Sequence, residues 1–393
     1  MTRYALVGAR LPAGGTRAVL VRDGVIEAMP PAAEVPGGVP RVDVSGLLLT
    51  PGLIDLHAHG AAGHGFDEPS AAGYEAVLAA HARFGVTTLQ ASLATAELDR
   101  MAETLAFATR RPGTAPERGA RLAGVHLEGP FLAPEQAGAH DPGLLRHPSA
   151  ALVERLLAAG PPTMVTLAPE LPGGLEAVRR FAAAGTVVAI GHSQAHGPLF
   201  AAAVEAGVRH LTHLWSGQSG LRREGPWRVP GLLEESLAST GLTAEVIADG
   251  RHLPPALLRI AFRCLGGDLA VVSDATPGAG LPDGSPYRLG ALDCVVAGGV
   301  GVLPGTGSFA GGVTGLDGML RHLHRDLGLP LGEAVAAATE VPARVLGLRD
   351  RGALRPGLAA DLALFDEEFT AVATIVAGRW AVDLTGIGEP VHG

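Results

Sequence analysis

The chain has 393 residues, 47% of them hydrophobic, which suits one large domain plus a small one with a sizeable core. A net charge of −9, no basic block, and only ten Phe and three Tyr provide neither a phosphate-tracking surface nor a stacking platform, so no nucleic-acid partner is expected. The N-terminus lacks the long apolar core of a secretory leader, and no run of about 18 apolar residues occurs, so the expectation is a cytoplasmic protein with no membrane partner. Every one of the 30 basic residues is arginine; there is no lysine. Cys264 and Cys294 stand in apolar surroundings without C-x-x-C spacing and read as packed free thiols.

In chain order, residues 1–50 show short apolar segments at 4–7, 18–21 and 42–44, broken by Gly and Pro, as small strands and turns do. From about residue 53, apolar strand candidates alternate with Ala/Leu/Arg-rich helical segments. The strands fall at 53–56, 86–90, 122–127, 164–168, 187–190, 208–212, 244–248 and 269–273. Eight strand–helix units in about 290 residues read as a (β/α)8 TIM-type barrel of α/β class. Strand-like pieces return at 357–365 and 372–379. Neither β-rich end buries enough surface alone, so the two are expected to pair into one small β-sandwich-like domain. The expected division is 1–50 plus 348–393 for the small domain and 51–347 for the barrel.

Five strand candidates end in groups that bind metals or move protons. Asp55-Leu56-His57-Ala58-His59 closes the first, and two histidines two apart on a strand point the same way, as a metal pincer requires. Glu128 closes the third, His192 the fifth, His213 the sixth and Asp274 the eighth. In such barrels this rim is where active sites are built. Each residue has a plainer reading: His57 and His59 as a hydrogen-bonded core pair, Glu128 as a helix-initiating carboxylate before Pro130, His192 in a turn, Asp274 capping one. Five such groups at the ends of one barrel's strands favour a metal-dependent hydrolase. His64, His81, His147, His196, His210, His322 and His324 lack this placement and are expected to have surface or packing roles.

The segments from Pro51 to Gly60, His126-Leu127-Glu128-Gly129-Pro130, Gly138-Ala139-His140-Asp141-Pro142, Gly191-His192-Ser193, Thr212-His213-Leu214, Ala248-Asp249-Gly250-Arg251-His252 and Val272-Ser273-Asp274 together resemble the N-acetylglucosamine-6-phosphate deacetylases of the amidohydrolase superfamily. The likeness spans nearly the whole chain. It implies a metallo-barrel with a small β-domain, a homodimer, that removes the acetyl group from an N-acetylated amino sugar phosphate. It further implies Glu128, His192 and His213 as main metal ligands and His57 and His59 as the pair that admits a second ion, so one or two divalent ions, zinc or ferrous iron, are expected. Without lysine no carboxylated lysine can bridge two metals, which leaves Glu128 as the bridge. Asp274 is the expected catalytic acid/base. Ala139, His140, Ser216, Gly217, Arg223, His252, Ala310 and Gly311 are the substrate-binding candidates.

The resemblance weakens at the phosphate subsite. Where the family has an aromatic residue followed by Asn-Ala-Met, this chain has Trp215-Ser216-Gly217-Gln218. Arg222-Arg223-Glu224 resembles the family's His-Arg-Glu stretch, where an arginine fork suits a phosphate, though a solvated Arg pair is the plainer reading. The alternative to the phosphorylated substrate is a related deacetylation of a different N-acetylated amino sugar or biosynthetic intermediate, phosphorylated or not.

Overall fold

A computed structural model describes residues 3–387. Eight parallel strands form one sheet: β1 (Leu53–Ala58), β2 (Val86–Leu93), β3 (Arg121–Glu128), β4 (Met164–Leu167), β5 (Val187–Ile190), β6 (Val208–Leu211), β7 (Thr243–Ile247) and β8 (Leu269–Val272). Each pairs with the next in sequence. A helix follows every strand: α1 (Ala71–Ala82), α2 (Leu98–Ala108), α3 (Ala150–Ala159), α4 (Gly174–Ala183), α5 (Pro198–Ala206), α6 (Leu232–Ala238), α7 (Pro255–Leu265) and α8 (Leu316–Arg321). All eight expected strands are present, and the fold is the expected barrel. Start signals are local: the Ser70 and Ser149 hydroxyls accept from the Gly73 and Leu152 amides at the first turns of α1 and α3.

Alternation along the strands sorts side chains into two populations. Leu56, Ala58, Val125, Leu127, Ala244 and Val246 join the apolar layer shared with the helices. Their neighbours Asp55, His57, His126, Glu128 and Glu245 are polar yet buried, and line the barrel interior. Between β1 and β8 the ring closes through Asp55: its carboxylate accepts from the Ser273 hydroxyl and from the Ser273 amide at 3.2 Å. A parallel bridge of Ala58 with Ala275 continues the seam. Burial pushes the Asp55 carboxyl up to about 6, against the pull of those hydrogen bonds.

The terminal segments form two four-stranded sheets. One orders Val25–Ala28, Val19–Arg22, Arg3–Val7 and Arg41–Asp43; the other orders Arg379–Asp383, Ala371–Val376, Leu362–Phe365 and Leu48–Pro51. Leu6, Val21 and Ile26 from the first pack with Leu49, Leu362, Leu364 and Ile375 from the second, as in a sandwich. Ala363 and Phe365, on the opposite face of the second sheet, join the barrel's own core. Residues 1–2 and 388–393 of the expected small domain lie outside the described residues. Gly52 separates the two units: a Cβ there would meet the Thr87 side chain at 2.2 Å, so the strand leaving the sandwich can enter the barrel only through glycine.

Two insertions escape the sequence pattern. A short hairpin, Arg222–Glu224 with Trp227–Val229, follows β6, and a three-stranded antiparallel sheet, Pro286–Leu289, Leu292–Ala297 and Val300–Val302, follows β8. Cys294 is buried there as expected, whereas Cys264 is exposed on α7, a correction to its expected packing; both thiols are free. Replacing Asp55 by Ala strips three donors, the Ser273 hydroxyl and the Ser273 and His57 amides, of a buried acceptor. The variant should lose about 3–5 kcal/mol of stability in a urea titration; an unchanged midpoint would show that the seam does not depend on Asp55.

Candidate active site

Glu128, at the end of β3, lies at the centre of a cavity of about 520 Å³ on the C-terminal rim of the barrel. Its two oxygens face different partners. Oε1 lies 3.1 Å from His192 Nε2 and 3.0 Å from His213 Nε2. Oε2 lies 3.1 Å from His59 Nε2, 3.5 Å from His57 Nε2 and 3.4 Å from His140 Nε2. Asp274 Oδ1 sits 3.4 Å from His59 and 3.6 Å from His57. The histidines and Glu128 are buried, whereas the Asp274 side chain is 13% exposed and lines the cavity.

The rings are oriented from behind. His57 Nδ1 meets Glu245 Oε2 at 3.0 Å, His192 Nδ1 meets the Gln136 carbonyl at 2.7 Å, and His213 Nδ1 meets the Ser216 carbonyl at 3.1 Å. Each acceptor fixes one proton on Nδ1, so that when Nε2 gives up the proton it shares with Glu128 its lone pair points toward that carboxylate. His59 Nδ1 is buried with no partner. Glu128 thus belongs to two donor sets, His57–His59–Glu128 and Glu128–His192–His213, whose ligating atoms in each set lie within 4.8 Å of one another. Converging imidazole lone pairs around one carboxylate fit a divalent cation on either side, and the hydrogen-bonded-pair reading of His57 and His59 does not account for the second set.

Local backbone aims these groups. His192 and Asp274 both adopt left-handed φ values, +49° and +46°, an uncommon conformation that turns each side chain inward where its strand ends. Gly217 (φ +60°) passes so close that a Cβ would sit 2.5 Å from His192 Nδ1. At Gly311 (φ +75°) a Cβ would lie 2.5 Å from the Thr276 methyl and 2.9 Å from the Asp274 carbonyl.

The electrostatics follow from crowding. Burial would raise Glu128, but the charge on His57 and the interactions with His140 and His192 outweigh it and hold the carboxyl well below its usual range. Burial likewise opposes Asp274's ionisation, yet the hydrogen bond from His59 and the charges of His57, His59 and His213 keep it low, so it is a carboxylate at neutral pH. For His59 burial lowers and the hydrogen bonds to Asp274 and Glu128 raise, with the balance at about 9. His57 ends well above the usual imidazole range because Glu128 and Glu245 overcome its burial.

Of the expected substrate-binding residues, Ala139, His140, Ser216, Gly217, His252 and Gly311 line the cavity. Thr95 N–H donates to His140 Nδ1 at 3.4 Å, which places the His140 proton on Nε2, facing Glu128. His252 Nδ1 is held by Asp249 at 2.7 Å. Ala310 lies behind the wall instead, buried, its carbonyl accepting the Tyr287 hydroxyl at 2.8 Å. Arg223 stands exposed on the Arg222–Val229 hairpin outside the lining, and among the described residues no arginine lines the cavity. Phe309 also lines the cavity, its ring 4.9 Å from that of His252, and sequence reasoning missed Glu245. His210, expected only to pack, is buried and holds Glu245 Oε1 at 3.0 Å.

Two outcomes test this geometry. Gly217→Ala should push His192 off its lone-pair direction and weaken metal affinity by about 10–100-fold, read by chelator competition; unaltered affinity would mean that His192 needs no such clearance. Because the metal-free His59 holds a proton below about 9, ion binding on its side must expel it. Affinity there should climb from pH 7 toward pH 9 and above, because His57, also held well above the usual imidazole range, must give up a proton too, and a flat profile would contradict the protonated cluster.

The sequence model of the amidohydrolase family matches residues 48–381. An N-acetylgalactosamine-6-phosphate deacetylase from Escherichia coli O157:H7 is 34% identical over 356 residues, 88% of this chain and 89% of that protein. An N-acetylglucosamine-6-phosphate deacetylase from Caenorhabditis elegans is 32% identical over 86% of this chain and 84% of its own length. Among solved structures, a variant N-acetyl-D-glucosamine-6-phosphate deacetylase from Mycobacterium smegmatis, in complex with N-acetyl-D-glucosamine-6-phosphate, superposes with a TM-score of 0.88 at 31% identity, covering 97% of this chain and all of that one. Barrel, rim cluster and these likenesses agree: the chain belongs to the N-acetylglucosamine-6-phosphate deacetylase family of the amidohydrolases.

Proposed function

We propose that the protein hydrolyses the amide of N-acetylglucosamine-6-phosphate to acetate and glucosamine-6-phosphate. The observation that carries this reading is the Asp274 carboxylate standing beside two metal-donor sets that share Glu128, with His140 Nε2 on the same cavity wall. Glu128, His192 and His213 would hold one ion; His57 and His59, with Glu128 as bridge, a second. Zinc and ferrous iron both suit these donors. Such ions supply a water acidic enough to attack near neutral pH and polarise the acyl oxygen. Asp274 takes the proton of the attacking water on its carboxylate and returns it to the amine nitrogen, so the carbon–nitrogen bond breaks toward a neutral amine. His140 donates its Nε2 proton to the acyl oxygen as charge grows there. His252, anchored by Asp249, meets the sugar or its phosphate.

The functional unit in this reading is a cytoplasmic homodimer. Residues 51–347 would carry the catalysis, and the described parts of 1–50 and 348–393 the small domain. Among the described residues no helix is long and apolar enough to cross a membrane. The hairpin bearing Arg223 also exposes Leu221 and Trp227, the latter 74% exposed, which suits burial against a second subunit. Arg223 would then serve as the phosphate clamp in a pocket completed by the dimer. Ser216 contributes its hydroxyl and Gly217 its backbone amide, and Gly311 the close wall beside Asp274.

A second reading has its own support: a different, unphosphorylated N-acetylated amino sugar or biosynthetic intermediate. Gln218, where the family's loop differs, is spent on bracing its own turn, donating to the Thr212 carbonyl at 3.1 Å and accepting from Trp215 N–H at 3.3 Å. Leu253, Leu257, Leu289 and Phe309 give the cavity an apolar side. Comparing kcat/KM for N-acetylglucosamine-6-phosphate, its galacto epimer and unphosphorylated N-acetylglucosamine decides. A preference for phosphate of about 100-fold, or 2.7 kcal/mol, that Arg223→Ala erases supports the first reading, and no preference supports the second. Asp274→Asn should lower kcat by about 10²–10⁴-fold while metal content stays unchanged; near-normal turnover would remove Asp274 from the chemistry.

A further inference from the structure

Glu245, on β7, is fully buried and touches no part of the cavity, yet three donors converge on it. Oε2 accepts from His57 Nδ1–H at 3.0 Å and from the His213 amide at 3.3 Å, and Oε1 accepts from His210 Nε2–H at 3.0 Å. His210 Nδ1 in turn receives the Thr243 hydroxyl at 2.6 Å. A charge so deep is costly unless it is fully hydrogen-bonded, and here it is.

The two donor sets around Glu128 differ in what orients them. On the His192–His213 side both rings are held by main-chain carbonyls, of Gln136 and Ser216. No side-chain substitution removes those acceptors. On the other side His59 Nδ1 has no partner, so the only ring fixed from behind is His57, and Glu245 fixes it. Without that carboxylate the His57 proton is free to move to Nε2, where it would point at the ion's place, and the ring is free to swing.

We propose that Glu245 is the positioning residue that selectively builds the His57–His59 metal site; at the Glu128–His192–His213 site it meets only the His213 amide, and that ring keeps its own acceptor in the Ser216 carbonyl. The assignment rests on the two-ion reading above. Substitution chemistry separates position from charge. Glutamine can set its oxygen toward His57 and His213 and its amide toward His210, whose ring can exchange tautomers against the Thr243 hydroxyl, so His57 stays held. Methionine offers no acceptor.

The test is metal titration of the chelator-stripped chain with zinc and cobalt(II), read by elemental analysis and by the visible spectrum of the cobalt form, for wild type, Glu245→Gln and Glu245→Met. The wild type should take two ions per chain, Glu245→Gln two, and Glu245→Met one at micromolar free metal. In Glu245→Met the second ion should bind about 100-fold more weakly and the first within about threefold of wild type. A folded Glu245→Met chain that keeps both affinities, or loses both ions together, overturns the assignment. If Glu245→Met does not fold, Glu245→Asp, charged but too short to reach His57, must show the same selective loss; two ions of normal affinity there would overturn it equally. A wild type that saturates at one ion refutes the two-ion reading itself and with it this role, a failure visible before any variant is compared.

Discussion

The carboxylate of Glu128 is the constraint on which the site is built. It is buried, and five imidazole nitrogens surround it within 3.5 Å. A charge in that position must be compensated by protons or by cations. Protons alone would need several charged imidazoles packed against one another, His57 and His59 being 3.2 Å apart at Nε2. The divalent cations proposed between the rings would resolve the repulsion, because each neutral imidazole would then offer a lone pair instead of a proton. The left-handed backbones at His192 and Asp274 and the bare glycine at 217 follow from fitting so many groups around one carboxylate.

Support for the cluster comes from the barrel interior, which is polar. Ser92 meets His126 Nδ1 at 3.0 Å, His126 Nε2 meets Thr166 at 2.7 Å, and Thr166 meets Thr212 at 2.7 Å. Burial holds His126 neutral, well below the usual imidazole range. This chain of hydrogen bonds helps fix the rotamers of the groups beneath the metal ligands, although the neighbouring Gln90 amide is buried without a partner. The terminal sandwich contributes from further out. Through Ala363 and Phe365 it packs on the outside of the barrel, while Leu362 and Leu364 face its own core.

Much of this was legible from the sequence because strand alternation and metal-ligand chemistry leave local marks. A His-x-His at a strand end, or a Glu, His or Asp right after an apolar run, fixes both position and direction once the barrel is inferred. What escaped depends on contacts between distant segments. Glu245 sits mid-strand between Ala244 and Val246; only their outward packing shows that it points inward, toward rings from β1 and β6. Ala310 and Arg223 were placed by likeness to a motif, and a one-residue difference in which backbone faces the cavity, or a hairpin that leaves the chain's own pocket, is invisible to motif reading. Cys264 looked apolar in sequence, yet helical periodicity puts it on the outer face of α7.

The central claim is that one carboxylate serves two ions. Anomalous X-ray diffraction from crystals of the metal-saturated protein, collected above and below the zinc absorption edge, tests it directly. The prediction is two peaks, one against Glu128 Oε1 between His192 and His213, the other against Oε2 between His57 and His59. A single peak, or one remote from Glu128, would contradict it.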